Sequence, residues 1–146
     1  MTLSAEEWAV EAQKRRDAQR PKETTKRKGK TPEAKVKAEI DAYLKKIGAI
    51  NIRTNAGSWQ DEAGHWIMGA KAGTADNIAC IAGAFVAIEA KSAKGTPSDA
   101  QQRFQARVEA LGGLYILARS RDDVRAALVA RFGEEMVRGW EQAKKV

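Results

Sequence analysis

The sequence predicts an α/β domain in the order helix, strand, strand, strand, helix, strand, then further helices. Three observations predict it. An apolar stripe at helical spacing, Val36, Ile40, Tyr43, Leu44 and Ile47, follows a Thr31–Pro32 cap. Two apolar runs, 77–82 (NIACIA) and 85–91 (FVAIEAK), flank Gly83 as two strands flank a tight turn. A helix-period segment, 98–111, is broken by Gly112 and Gly113 and followed by the buried-strand pattern LYILA at 114–118. With 146 residues, 43% of them hydrophobic, one such domain can bury about two-thirds of its unfolded surface.

In chain order, residues 1–20 read as a helix opened by a capping box at Ser4 and Glu7 and carrying Trp8, with little apolar face. From Arg20 to Lys30 come six basic residues, one acid, Pro21 and Gly29, a composition that cannot join a core. This stretch is either a solvated tail or an arm that tracks phosphates, and it divides a basic N-terminal segment, 1–30, from a domain over 31–146. The helix from Thr31 ends at Gly48, and Glu39 lies at the edge of its apolar stripe, or pairs on the surface with Lys35. Residues 49–54 (AINIRT) form a strand. Residues 55–74 hold four glycines and are expected to be irregular. There Trp59, His65 and Trp66 either stack on bases or belong to a short hairpin packing its own tryptophans. His65, the only histidine, is expected to be a surface loop residue without a partner. After the 77–91 strand pair, Ser98 opens a helix whose inner face is Phe104, Val108 and Leu111. Beyond 114–118, Ser120 caps a helix over 121–132, and Gly133 separates it from one over 134–144.

The chemistry concentrates in the strand pair. With Gly83–Ala84 as the loop, Asp76 falls directly across from Lys91 and diagonal to Glu89, all on one face. Opposed side chains lie about 5 Å apart and diagonal ones about 7–8 Å, within one small site. Phe85, Ala87, Glu89 and Lys91 share one face of a strand whose two faces both begin apolar, as in a central strand covered on both sides. Two charges that continue such a face are either a strand-end ion pair or a site. Two carboxylates and an amine suit Mg²⁺ and phosphodiester chemistry better than zinc or acyl transfer.

Composition bounds the rest. The 26 lysines and arginines exceed the 19 acids, and a net charge of +7 points to a polyanion such as nucleic acid. Cys80, the single cysteine, lies within an apolar strand; it permits no intrachain disulfide, fits a reducing compartment and, with one histidine, excludes zinc fingers. The longest apolar run, 78–88, is short of the roughly 20 residues a membrane span needs, and the acidic, polar first ten residues lack a signal-peptide pattern.

These residues in this order resemble the PD-(D/E)xK nuclease superfamily, and within it the VRR-NUC group found in phages and repair enzymes. The resemblance covers about residues 31–119. The family's metal-binding aspartate matches Asp76 in Gly73-Thr74-Ala75-Asp76, and its E-x-K matches Glu89-Ala90-Lys91. Its downstream glutamine matches Gln101, which also completes a capping box with Ser98, and its first-helix acid matches Glu39. Ala75 stands where the family usually has proline. The resemblance implies a restriction-endonuclease-like αβββαβ core, a mixed central sheet flanked by helices. It implies Mg²⁺ or Mn²⁺ held by Asp76, Glu89 and the carbonyl of Ala90, with Glu39 holding a metal-bound water or a second ion. Lys91 would orient the attacking water or offset phosphorane charge, and Gln101 would orient Lys91 or the backbone. Arg53, Lys71 and Lys94 are candidates for phosphate contacts.

The activity implied is hydrolysis of DNA by a structure-selective endonuclease of branched or junction DNA, in the cytoplasm of a bacterium or bacterial host. One domain supplies one site, so cutting both strands takes a homodimer or two visits. The alternatives are a nicking or restriction-type nuclease and a non-catalytic DNA-binding accessory protein of phage replication.

Overall fold

In the computed structural model, which describes residues 31–54 and 58–143 together with Glu6, Glu7, Val10 and Lys14, the first core helix begins where its cap places it. Thr31 Oγ1 accepts from the Ala34 N–H at 3.2 Å, and Pro32 opens helix α1, Pro32–Lys46. Glu6, Glu7, Val10 and Lys14 are helical, while the Ser4 capping box, Trp8, the 20–30 arm and the side chain of Trp59 lie outside the described residues. The remaining elements are β1 (Ile50–Arg53), β2 (Ser58–Gln60), β3 (Trp66–Met68), β4 (Asn77–Ile81), β5 (Ala84–Ala90), α2 (Asp99–Ala110), β6 (Leu114–Ala118), α3 (Arg121–Phe132) and α4 (Glu134–Gln142). No helix among the described residues is long and apolar enough to cross a membrane.

The fold is mixed α/β. Four strands form one sheet in the order β1-β4-β5-β6; β1 pairs with β4 and β4 with β5 antiparallel, and β6 joins β5 in parallel after the α2 crossover. One face carries Ala79, Ile81, Val86, Ile88, Ala90 and Ile116, buried against Ile40, Tyr43 and Leu44 of α1, Val124 and Leu128 of α3 and Val137 of α4. The other face carries Ala87 and Tyr115, covered by Val108 and Phe104 of α2. Helices on both faces explain why β5 is buried from Val86 to Ala90. The C-terminal helix is fastened to the first: Tyr43 Oη donates to Glu141 at 2.9 Å, and Arg125 bridges Glu141 and Glu134 at 2.8 and 2.7 Å. The Arg125 guanidinium holds both carboxyls below the usual carboxylate range.

Four expectations are corrected. The β4–β5 loop is Ala82–Gly83, not Gly83–Ala84, so Ile81 pairs with Ala84 and Asn77 with Ile88. Both loop residues take positive φ, 49° and 79°, as a type I′ turn requires and as the right-handed sheet twist favours. The shift changes the pairing by two residues, which leaves every side chain on its face, so alternation could not choose between the two registers. Its consequence is that Asp76 stands opposite Glu89, not Lys91. Leu111 is not part of the inner face of α2; it is 80% exposed, because it lies past the last helical residue, beside the half-exposed Phe85 at the start of β5. Cys80 lies in β4, within an apolar strand as expected, and is exposed, because it shares the α2 face with Ile50 and Ile52 of β1, which no helix among the described residues covers. The stretch 55–74, expected to be irregular, contains the β2–β3 ribbon, pairing Gln60 with Trp66; this is the short hairpin held as one alternative, with Trp66 exposed rather than packed. His65 within it is exposed, as expected, but has a partner, Asp61, at 3.1 Å.

Ala82 is the one non-glycine residue with positive φ among those described. Asn tolerates that region far better than Ala, so Ala82→Asn is expected to stabilise the fold by on the order of 1 kcal/mol. A urea midpoint that stays put or falls would contradict the turn described.

Candidate functional site

The site forms where the β4–β5 ladder comes apart. Thr54, just past β1, holds the incoming chain: its hydroxyl donates to the Ala75 carbonyl and its N–H to the Asp76 carbonyl at 2.9 Å. Beyond the Asn77–Ile88 pair the backbone ladder is replaced by side chains. The Asp76 N–H donates to Glu89 Oε2 at 3.2 Å, and the Ala90 N–H donates to Asp76 Oδ2 at 3.0 Å. Each acid thus caps the other strand's free amide, and the two carboxylates are drawn together. The N–H and C=O of a strand residue face the same neighbour, so the Ala90 carbonyl lies on the Asp76 side.

The two acids differ in surroundings. Glu89 is 3% exposed, whereas Asp76 is half-buried. Burial first, and then the negative charge of Asp76, push the Glu89 carboxyl above the usual range; Lys91 pulls in the other direction without cancelling them. Lys91 Nζ lies 3.4 Å from Glu89 Oε1. The expected convergence of Asp76, Glu89 and Lys91 on one face is therefore what the structure places, with Glu89 rather than Lys91 at its centre.

Gln101 joins them by a route that unites its two expected roles. The capping box turns its Oε1 to the Ser98 N–H at 2.9 Å, while Ser98 Oγ accepts from the Gln101 N–H at 3.2 Å. With its oxygen so engaged, the amide points Nε2 at Glu89 Oε1, 2.5 Å away. The helix cap thereby sets the rotamer of Glu89. No hydrogen bond among the described residues links Gln101 to Lys91; the two meet at the same oxygen, Glu89 Oε1.

Glu39 does not join the site. It is exposed beside Ser120, Arg121 and Asp122, and no hydrogen bond or ion pair among the described residues links it to Asp76, Glu89 or Lys35. The reason is helical phase. Lys37 is the α1 residue at the site, with Nζ 3.0 Å from Asp76 Oδ1 and 2.9 Å from Glu33, and two residues further is about 200° around the helix. Burial works against the Lys37 charge, but hydrogen bonds to Glu33 and Asp76 and their negative charges outweigh it and hold the ammonium above the ordinary lysine range. Arg53, expected near phosphate, pairs with Asp41 at 3.3 Å, and Asp41 also accepts from the buried Asn77 at 2.8 Å.

Lys37, Asp41 and Tyr115 escaped the sequence reading. For the first two a signal existed: Glu33, Lys37 and Asp41 repeat every four residues, a polar stripe beside the apolar one. Tyr115 gave none beyond its place in a buried strand. It is 8% exposed, its hydroxyl has no hydrogen-bond partner among the described residues, and burial, followed by the charges of Glu89, Asp76 and Glu109, pushes it up to about 12.

Among the described residues no three His, Cys, Asp or Glu side chains converge as a metal-ligating group, so the protein's acidic donors at this point are Asp76 and Glu89. No protein-family model, curated protein or solved structure matches the chain, and the reading of this acidic pair rests on its own geometry.

Proposed function

We propose that the chain is a metal-dependent endonuclease acting on DNA, with a restriction-endonuclease-like core of the PD-(D/E)xK type. One observation carries the reading: Asp76 and Glu89 oppose each other at the frayed end of a buried ladder, where the proximity of two negative charges costs free energy. A single structural ion pair needs one acid and one base, whereas here two acids meet at the end of a core strand, each with a lysine beside it. The donors fit a hard divalent cation, Mg²⁺ or Mn²⁺: two carboxylates, with the Ala90 carbonyl on the same side. Such an ion supplies Lewis-acid polarisation of a phosphate and activation of a water.

The chain's own residues support that chemistry in distinct ways. Asp76 and Glu89 are the ligands, fixed by amides of the opposite strand. Gln101 locks Glu89 through the α2 cap. Lys91, its ammonium beside Glu89, is placed to orient a water or to meet charge growing on a phosphorane. Lys37 neutralises Asp76 from α1 and is a second cation available to a phosphate. The net charge of +7 favours a polyanionic substrate. Branched or junction DNA, cut by a homodimer, is the substrate and assembly the proposal favours.

The test is incubation of the full chain with supercoiled plasmid and with a four-way junction. Mg²⁺ or Mn²⁺ should give product, excess EDTA none, and Ca²⁺ binding without turnover. Nicked plasmid alone would assign the nicking alternative. Equal cleavage in EDTA would end the metal-dependent reading, and no cleavage with either ion on either substrate would end the nuclease reading and leave a DNA-binding accessory protein.

A further inference from the structure

A second site adjoins the acidic pair. The loop before β4 and the exposed side of α2 enclose a cleft of about 560 Å³, lined by Lys71, Thr74, Ala100, Arg103, Phe104 and Arg107. That volume is in the range of clefts that bind small molecules, about 300–1,000 Å³. Its walls are rigid. The loop closes on itself through the Thr74 N–H to Lys71 carbonyl bond at 3.0 Å, and Gly73 sits so tightly on α2 that a Cβ there would lie 2.6 Å from the Ala100 carbonyl. Arg103 and Arg107 are one turn apart on the same side of α2, where like charges repel.

Three cations line this cleft, and none has an anionic partner among the described residues. Lys37, Arg53, Lys91, Arg125 and Arg138 all pair with carboxylates, yet Lys71, Arg103 and Arg107 make no ion pair or side-chain hydrogen bond among the described residues. The nearby acid Glu109 accepts from Gln105 at 3.0 Å instead. The floor is apolar, Phe104 and Ala100, which lowers the local dielectric and strengthens the field of the three charges. The cleft also shares its walls with the candidate site: Thr74 lies two residues before Asp76, and Ala100 immediately precedes Gln101, which holds Glu89.

We propose that this cleft binds a phosphate group of a nucleic acid strand, next to the phosphate presented to Asp76 and Glu89. The assignment rests on the nucleic-acid reading above and gives that reading a direction, with the strand running from the acidic pair across the first turn of α2. The phosphate is an internal diester or a 5′-terminal monophosphate; both present the same oxygens to the guanidinium forks.

The experiment is a salt titration of binding by the full chain to fluorescein-labelled duplex and single-stranded DNA in Ca²⁺. It compares wild type, K71A/R103A/R107A, R103K/R107K and a charge-matched control, K45A/K46A/R131A. Removing the cleft cations should weaken binding and make the slope of log affinity against log salt shallower by about 0.9 per phosphate contact on duplex, or about 0.7 on single strands. R103K/R107K should keep the slope, because the charges remain. A cleft variant with the wild-type slope, or with the slope of the control, would overturn the assignment. Substrates with 5′-phosphate or 5′-hydroxyl ends separate the sources: a loss confined to phosphorylated ends assigns the terminal monophosphate, and an equal loss assigns the internal diester. Cleavage in Mg²⁺ is read in parallel. A protein that cuts nothing yet shows the cleft-dependent slope retains the cleft and loses the nuclease. One that cuts while its cleft variants bind like wild type retains the nuclease and loses the cleft.

Discussion

Asp76→Asn and Glu89→Gln are each expected to lower Mg²⁺-dependent cleavage of DNA at least a hundredfold, about 2.7 kcal/mol of transition-state stabilisation. Both changes keep the side chain's shape while removing one charge of the pair and one of its two accepting oxygens, so each variant's melting temperature without ion is read first to separate lost ligation from lost folding. A binding readout makes the expectation independent of turnover. Divalent ion that binds the folded chain should raise its melting temperature, by the equivalent of about 2.7 kcal/mol at a hundred times Kd. That increment should vanish in both variants. It should persist in Gln101→Ala at higher ion concentration, because Gln101 orients Glu89 without being a ligand. Wild-type cleavage by both charge-removing variants would refute the site. Lost cleavage with an intact ion-dependent stabilisation would move the ion elsewhere.

How much of this was legible in the chain follows from what each residue signals. Caps announce themselves: Thr31–Pro32, Ser98-x-x-Gln101 and Ser120 placed three helices to within a residue, because an orphan N–H needs a nearby oxygen wherever the helix goes. The face shared by Asp76 and Glu89 was legible because strand alternation survives a two-residue slip. The partner of Asp76 was not, because only the φ values of Ala82 and Gly83 distinguish the two turns. On α1 the apolar stripe gave the core side correctly but not which flank meets the sheet edge. Glu39 and Lys37 lie on opposite flanks, and the deciding contact is with Asp76, thirty-nine residues beyond Lys37. Leu111 failed because periodicity assigns a side chain to a face but does not say where the helix stops, and Leu111 lies one residue past the end of α2. The β2 and β3 strands, three residues each, are too short for alternation to register.

Gly73→Ala is expected to be the most damaging single change outside the acidic pair. Two independent terms add. The backbone φ of 89° disfavours any side chain by about 1–2 kcal/mol. A Cβ would also lie 2.6 Å from the Ala100 carbonyl oxygen and 2.8 Å from the Ala100 Cβ, contacts with a helix backbone that cannot swing aside. Overpacking of that kind costs about 1–3 kcal/mol, so a total loss of about 2–5 kcal/mol is expected from the urea midpoint at unchanged m. Gly64→Ala separates the terms, because Gly64 has φ 85° with open space around it and bears only the first. Ala100→Gly in the Gly73→Ala background should recover a minor part, since it removes the Cβ contact and leaves the carbonyl. The functional effect should follow the structural one. A loop lifted from α2 shifts the segment carrying Ala75 and Asp76 against the helix carrying Gln101, so cleavage should fall further than the fraction unfolded explains. If Gly73→Ala loses no more stability than Gly64→Ala, the loop is not seated on the first turn of α2, and the wall shared by the cleft and the acidic pair does not exist.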